Sequence, residues 1–198
     1  MSVKPIPSDH PVLPRHPKTG IMLVNLGTPD GTDYRSMRRY LDQFLSDQRV
    51  VEAPRWLWWL ILNGIILNTR PQKSGKAYDR VWLKDEPDGS PLRKFTRLQA
   101  EYVTDELKDA VAGDRACVTW AMRYGNPSIP LRLQELKDAG CNRLLIVPLY
   151  PQYAAATTAT DTATAAVRRL LPSEFPNKFC SHARPTPAPL LILAISHS

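Results

Sequence analysis

An apolar run that ends in prolines and tyrosines does most to limit the fold. From Cys141 to Asp161 the sequence reads CNRLLIVPLYPQYAAATTATD. Residues 144–149 are too few for a stable helix and suit a buried strand. Pro148 and Pro151 then stop regular pairing, because proline has no N–H to give. Tyr150 and Tyr153 flank the turn, and an alanine–threonine run leads to Asp161, a suitable start for a helix reaching about Leu171. In open α/β sheets, ligands bind beyond the carboxyl ends of the strands. This polar, aromatic exit is therefore one wall of a candidate site. The plainer alternative is a strand end with ordinary surface tyrosines.

The same pattern recurs upstream. Residues 21–26 (IMLVNL) suit a parallel strand covered on both faces, followed by the turn cluster Gly27-Thr28-Pro29-Asp30-Gly31. Thr32 or Asp33 can cap a helix to about Leu45, in which Met37, Tyr40, Leu41, Phe44 and Leu45 recur at helical spacing. Pro91 suits the first turn of a long helix to about Val111, with Leu92, Phe95, Leu98, Tyr102, Val103 and Leu107 as its buried stripe. Residues 116–122 (ACVTWAM) form another strand, leaving in Arg123-Tyr124-Gly125-Asn126-Pro127. Ser128 caps a short helix that Gly140 closes. The order β-α-α-α-β-α-β-α specifies an α/β fold with a doubly wound parallel sheet. It occupies residues 20–171. Residues 1–19 read as a flexible, proline-rich arm, and residues 172–198 as an atypical, poorly ordered tail without helical period.

The net charge of +7 favours anionic partners, but the basic residues are scattered and no nucleic-acid-binding spacing occurs, so no nucleic-acid partner is expected. Three distant cysteines, Cys117, Cys141 and Cys180, make neither a disulfide framework nor a zinc site and fit a reducing cytoplasm. The first twenty residues contain no apolar core of a secretory signal. The longest apolar run, from Trp56 to Leu67 (WLWWLILNGIIL), has twelve residues against the about 20 needed to span a bilayer. A helix there is apolar nearly all round, so it is either core or an apolar surface for a ligand or membrane.

Several strand exits converge chemically. Arg123 and Tyr124 follow one strand; Tyr150, Tyr153, Thr157 and Thr158 follow another; Asn25 and Thr28 belong to the first. Arginine pairs with carboxylates, and tyrosine gives a flat apolar face with a polar tip. Together they suit a planar, largely apolar ligand bearing carboxylates. Gly27 and Gly31 match neither a Walker loop nor a dinucleotide loop. The histidines His10, His16, His182 and His197 all lie outside the patterned region, so no catalytic residue or metal ligand stands out.

Five ordered segments carry a family resemblance: LVNLGTPDGTDYRSMRRYLDQFLSD, NTRPQKSGKAY, DGSPL, WAMRYGNPSI and LYPQYAAATTAT. Over residues 18–171 they closely resemble the N-terminal half of bacterial ferrochelatases. The resemblance implies one domain of a two-domain, chelatase-like, three-layer α/β/α fold, with the porphyrin in the cleft between domains. It implies ferrous iron and protoporphyrin IX as substrates, protohaem as product, and no bound cofactor. The segment beginning at Leu23 would touch the macrocycle; Arg70, Tyr78 and Ser90 would lie along the porphyrin site; Arg123 and Tyr124 would sit beside the ring, and Tyr153 at the cleft floor. The run from Trp56 to Leu67 would be the lip that meets the membrane, placing the protein in the cytoplasm or peripherally at the inner membrane. Ala155 stands where some members carry an iron–sulfur cysteine, so no cluster is expected. The family's metal-side histidine and glutamate belong to a second half that this chain lacks. His197 in the closing Ile195-Ser196-His197-Ser198 resembles the start of that histidine motif, but the interval after Tyr153 is too short, which makes it a chance similarity. The tail reads as a shifted frame or truncated gene. Two functions follow: a haem-forming lyase, or a truncated, inactive porphyrin-binding domain. An anion-binding α/β domain unrelated to tetrapyrroles is the bland third.

Overall fold

The computed structural model describes residues 18–110 and 115–149. The expectations for Tyr150, Tyr153, Thr157, Thr158, the helix after Asp161, the arm and the tail fall outside the described residues.

Three parallel strands carry the domain: β1 (Thr19–Gly27), β2 (Ala116–Tyr124) and β3 (Arg143–Pro148), in the order β2-β1-β3. Leu23 stands in register with Trp120 on one side and Val147 on the other. Between β1 and β2 run α1 (Tyr34–Leu45), α2 (Arg55–Ile61), a π-helical turn (Leu62–Ile66), α3 (Leu67–Asp79) and α4 (Pro91–Ala110). α5 (Ile129–Asp138) joins β2 to β3.

Side chains alternate along a strand, so each strand feeds two faces. One face buries Met22, Val24, Ala121, Leu144 and Ile146 against Ile129, Leu133 and Leu136 of α5. The other lies under α4, fixed where Asn25 Nδ2 donates to Thr96 Oγ1 at 3.0 Å. The doubly wound expectation holds, with helices on both faces. A second core sits between α1 and the following helices and contains Met37, Leu41, Leu45, Leu62 and Leu67. Cys117 and Cys141 are free thiols packed on the first core; burial, then the neighbouring Cys117, pushes the Cys141 thiol up to about 11.

Local chemistry explains the boundaries. Asp33 caps α1 by accepting the N–H groups of Arg35 at 2.9 Å and Ser36 at 3.0 Å, and its hydrogen bonds with Ser36 hold its carboxyl below the ordinary value. The sequence pattern assigns no element to the stretch that forms α3, which has Pro71 in its interior. Pro71 cannot donate to the Leu67 carbonyl four residues earlier. Tyr34 Oη at 3.2 Å and Arg38 Nη1 at 3.0 Å donate to it instead. Gly75 passes so close to the Thr32 carbonyl that a Cβ there has no room.

Two expected burial patterns need correction. In α4 the inward residues are Thr96 and Ala100, whereas Leu92, Phe95 and Tyr102 are exposed. The periodicity identified an apolar face, but the sheet takes the face next to it. The Trp56–Leu67 run is core on one side only. Leu62 and Leu67 are buried and Trp58 donates its indole N–H to the Leu45 carbonyl at 2.7 Å, while Trp56, Trp59, Leu60 and Ile65 are more than half exposed. Ser128 occupies the N-cap position of α5, but its side chain makes no capping bond.

Candidate functional site

The carboxyl ends of β1 and β2 meet at Gly27 and Tyr124, which pair in register. Gly27 has φ +121°, a conformation open to glycine, and a Cβ there would run into the Tyr124 carbonyl. Directly after it, Thr28 is buried and donates its hydroxyl to Ser90 Oγ at 2.8 Å. Ser90 precedes α4, so this bond clamps the β1 exit to the start of that helix. Thr96 in turn donates to the Leu92 carbonyl at 2.7 Å. Thr28→Val is expected to cost about 1–3 kcal/mol, because it strands a buried Ser90 hydroxyl; urea unfolding reads this as a lower midpoint at unchanged slope.

β2 runs two residues further than its apolar pattern, so Arg123 and Tyr124 belong to the strand itself. Both are gripped by Asp47, in the turn after α1. Arg123 Nη2 donates to Asp47 Oδ2 at 2.8 Å and Tyr124 Oη donates to the same oxygen at 2.7 Å. The Arg49 N–H donates to Asp47 Oδ1 at 2.9 Å, closing an Asx turn. Burial alone would raise the Asp47 carboxyl, but the bonds from Arg49, Tyr124 and Arg123 outweigh it and hold the group below the ordinary value. Burial and then the Asp47 bond push the Tyr124 phenol up to about 12, so it stays protonated at neutral pH.

Aromatic packing extends the cluster. Tyr124 meets the Phe44 ring edge-on at 5.2 Å; Phe44 stacks on Tyr40 at 6.2 Å; Tyr40 meets Tyr78 edge-on at 6.4 Å. Tyr40 also donates to the Gly27 carbonyl at 3.3 Å, and burial lifts its phenol far above the usual range. The Arg123 guanidinium lies 5.2 Å from the Tyr124 ring centre.

Of the residues named from sequence, Tyr78, Arg123 and Tyr124 therefore share one cluster, and Ser90 lies at the same strand ends through Thr28. Leu23 is buried in mid-strand on the side facing α4. Arg70 stands apart on α3, exposed, and no polar partner is found for it among the described residues. Arg123 is almost wholly buried and committed to Asp47, so its guanidinium braces the site from inside. Asp47, Tyr40 and Phe44 were missed. The one local signal for Asp47 is an aspartate in the turn after α1, two residues before the amide it accepts.

Near the cluster a cavity of about 170 Å³ opens between Asp30, Ser36, Arg39, Gln43 and Asn126. It is polar and smaller than the about 300 Å³ at which ligand pockets begin. Asp30 in it is already paired with Arg93 at 3.1 Å and with the Asn126 amide at 3.0 Å. It is no seat for a large flat ligand. Among the described residues no group of three or more His, Cys, Asp or Glu is placed to hold a metal.

Comparison with known proteins gives this geometry a context. The family model described as ferrochelatase matches residues 18–182, running past Leu171, where the sequence pattern changes. The chain is 58% identical over 154 residues to a ferrochelatase of Rhizobium johnstonii, covering 78% of this chain and 43% of that protein. It is 55% identical over 155 residues to that of Agrobacterium fabrum, covering 78% and 44%. The corresponding figures for the Brucella anthropi ferrochelatase are 56% over 144 residues, 73% and 40%. The chain thus spans less than half the length of these curated relatives. A family model matched over residues 18–182 and identity at this level leave one assignment: the chain belongs to the ferrochelatase family.

Proposed function

We propose that this chain forms the porphyrin-side wall of an enzyme that inserts ferrous iron into protoporphyrin IX to make protohaem. The observation that carries the reading is the meeting of Tyr78, Tyr124 and Arg123 at the exits of β1 and β2, in a chain of this family. The reaction exchanges two pyrrole protons for one Fe²⁺, so the site must hold a flat ring, take up the protons and receive a partly dehydrated ion. Of the aromatic cluster, Phe44 and Tyr78 are part-exposed and are the rings left to face the porphyrin, with Tyr40 and Tyr124 buried behind them. Arg70, exposed on α3 in the segment NTRPQKSGKAY, is the guanidinium that the family resemblance assigns to a propionate. Tyr124, buried with its hydroxyl on Asp47, stays a neutral phenol and stiffens the wall without accepting the ring's protons. Leu23, Ser90 and Tyr153 complete the porphyrin wall in this reading, and proton acceptance belongs to the half of the family's chain that this one does not span.

The exposed face of α2 and the π-helical turn suits uptake of an apolar substrate at a bilayer surface. Trp56 is 70% exposed and Trp59 62%, a composition favoured at membrane–water boundaries. No helix of the described residues is long and apolar enough to cross a membrane, and the contact proposed here is a peripheral one. Trp56→Ser with Trp59→Ser is expected to reduce co-sedimentation with phospholipid vesicles by about tenfold, with thermal stability changed little because both side chains are exposed. Undiminished vesicle binding would remove this role.

A second reading is favoured by the chain's share of its relatives' length: a porphyrin-binding domain without turnover. A fluorimetric zinc- or iron-insertion assay on the 198-residue chain separates the two. Turnover supports the complete enzyme, and saturable porphyrin binding without turnover supports the domain.

A further inference from the structure

We propose that Cys117 and Cys141 form a dithiol modification site, which a small-molecule disulfide such as oxidised glutathione converts into an intramolecular disulfide that staples β2 to the entry of β3. The two thiols lie at the amino ends of the strands, opposite the strand exits, so the inference is independent of which ligand those exits hold.

Register brings the pair together. Cys117 stands beside Gly20 of the central strand, and Gly20 puts no side chain between β2 and the β3 entry. By alternation Gly20, Met22 and Val24 face α5. Both cysteines pack on the core that Met22 and Val24 form with α5. The backbone holds Cys141 there. Its N–H donates to the Leu136 carbonyl at 3.0 Å, and the N–H groups of Asn142 and Arg143 donate to the Lys18 carbonyl at 3.0 and 3.2 Å. The Cys141 thiol thereby has the Cys117 thiol as its side-chain neighbour. Both are free and only part-buried, so neither is sealed from a small reagent. A lone buried cysteine behaves as a small apolar side chain. Two neighbouring thiols from separate strands have a further chemistry open to them.

The exchange balances in two steps. The thiolate of one cysteine attacks a sulfur of glutathione disulfide; the glutathione S–S bond breaks and one glutathione leaves. The thiolate of the other cysteine then attacks the protein sulfur of this mixed disulfide, forms the Cys117–Cys141 bond and expels the second glutathione. The protein gives up two electrons and two protons, and one glutathione disulfide becomes two thiols. Closing the bond brings the sulfurs to about 2 Å. Gly140, at φ +78° with open space around it, gives the turn before Cys141 room to move. Burial, then Cys117, pushes the Cys141 thiol up to about 11, so the pair rests as thiols at neutral pH and exchange takes on the order of hours. The Lys18 ammonium, held on the Ala139 carbonyl at 2.9 Å, acts the other way and favours the Cys141 thiolate.

The test uses the reduced 198-residue chain with Cys180→Ser, which removes the third thiol. It is incubated with glutathione disulfide in native buffer, and its peptides are mapped by mass spectrometry without reduction. The proposal expects a monomer whose Cys117–Cys141 linked peptide outweighs mixed glutathione disulfides by about tenfold or more, and which dithiothreitol returns to the thiols. With Cys117→Ser added, glutathione should instead persist on Cys141. Mixed disulfides without the link, links between chains, or a link that appears only in urea overturn the proposal. Should Cys180→Ser not fold, the unsubstituted chain is mapped in the same way: the same linked peptide supports the proposal, and disulfides through Cys180 in its place overturn it.

Discussion

Asp47→Ala is expected to lower the unfolding free energy by about 3 kcal/mol, since removing one partner of a buried pair leaves an uncompensated charge. The Arg123 side chain is 3% exposed, so water cannot replace the lost carboxylate without opening the strand end. The Tyr124 hydroxyl loses its acceptor in the same step. Asp47→Asn keeps an acceptor oxygen and should cost less, roughly 1–2 kcal/mol. The pH dependence has a definite sign. A carboxyl held below its unfolded value stabilises the fold fully above that value, near pH 4, and loses the contribution as pH falls through the lower folded value. The difference between wild type and Asp47→Ala should therefore be largest at about pH 7 and shrink toward about pH 3. Urea unfolding at the two values checks this; a constant difference would show that the charge of Asp47 is irrelevant.

Gly27→Val is expected to abolish cooperative folding. The position combines φ +121° with the approach of the Tyr124 backbone, so any Cβ meets both backbone strain and a collision. Gly27→Ala should already cost on the order of 3 kcal/mol or more, because neither side of the contact is a side chain that can move. Circular dichroism on heating distinguishes the outcomes: a broad, non-cooperative change for valine and a strongly lowered midpoint for alanine. An alanine variant within about 1 kcal/mol of wild type would mean that the two strand ends separate easily.

Local pattern carried the reading where local forces decide the structure. The apolar run at residues 21–26 became β1, Asp33 capped α1, and Pro91 opened α4, each through a neighbour a few residues away. The misses were non-local. Pro71 sits inside α3 because Tyr34 and Arg38, on another helix, satisfy the carbonyl it leaves open. Nothing near Pro71 in sequence announces them. Leu92, Phe95 and Tyr102 form a genuine apolar face, but periodicity cannot say which neighbour a face receives. In the site, Tyr78, Ser90, Arg123 and Tyr124 could be named from motifs, while Asp47, 76 residues before the arginine it holds, could not. That separation also changed the part assigned to Arg123: as a bare arginine at a strand end it suggested a carboxylate of the ligand, and in place its carboxylate is Asp47.

Porphyrin binding by the purified 198-residue chain decides the central claim. Protoporphyrin IX is titrated at constant detergent while Soret absorbance and tryptophan quenching are followed, for the wild type and for Arg70→Ala. The account predicts saturable one-to-one binding in the micromolar range, weakened about tenfold or more by loss of the guanidinium that it proposes for a propionate. No saturable change, or identical curves for a folded Arg70→Ala variant, would contradict it.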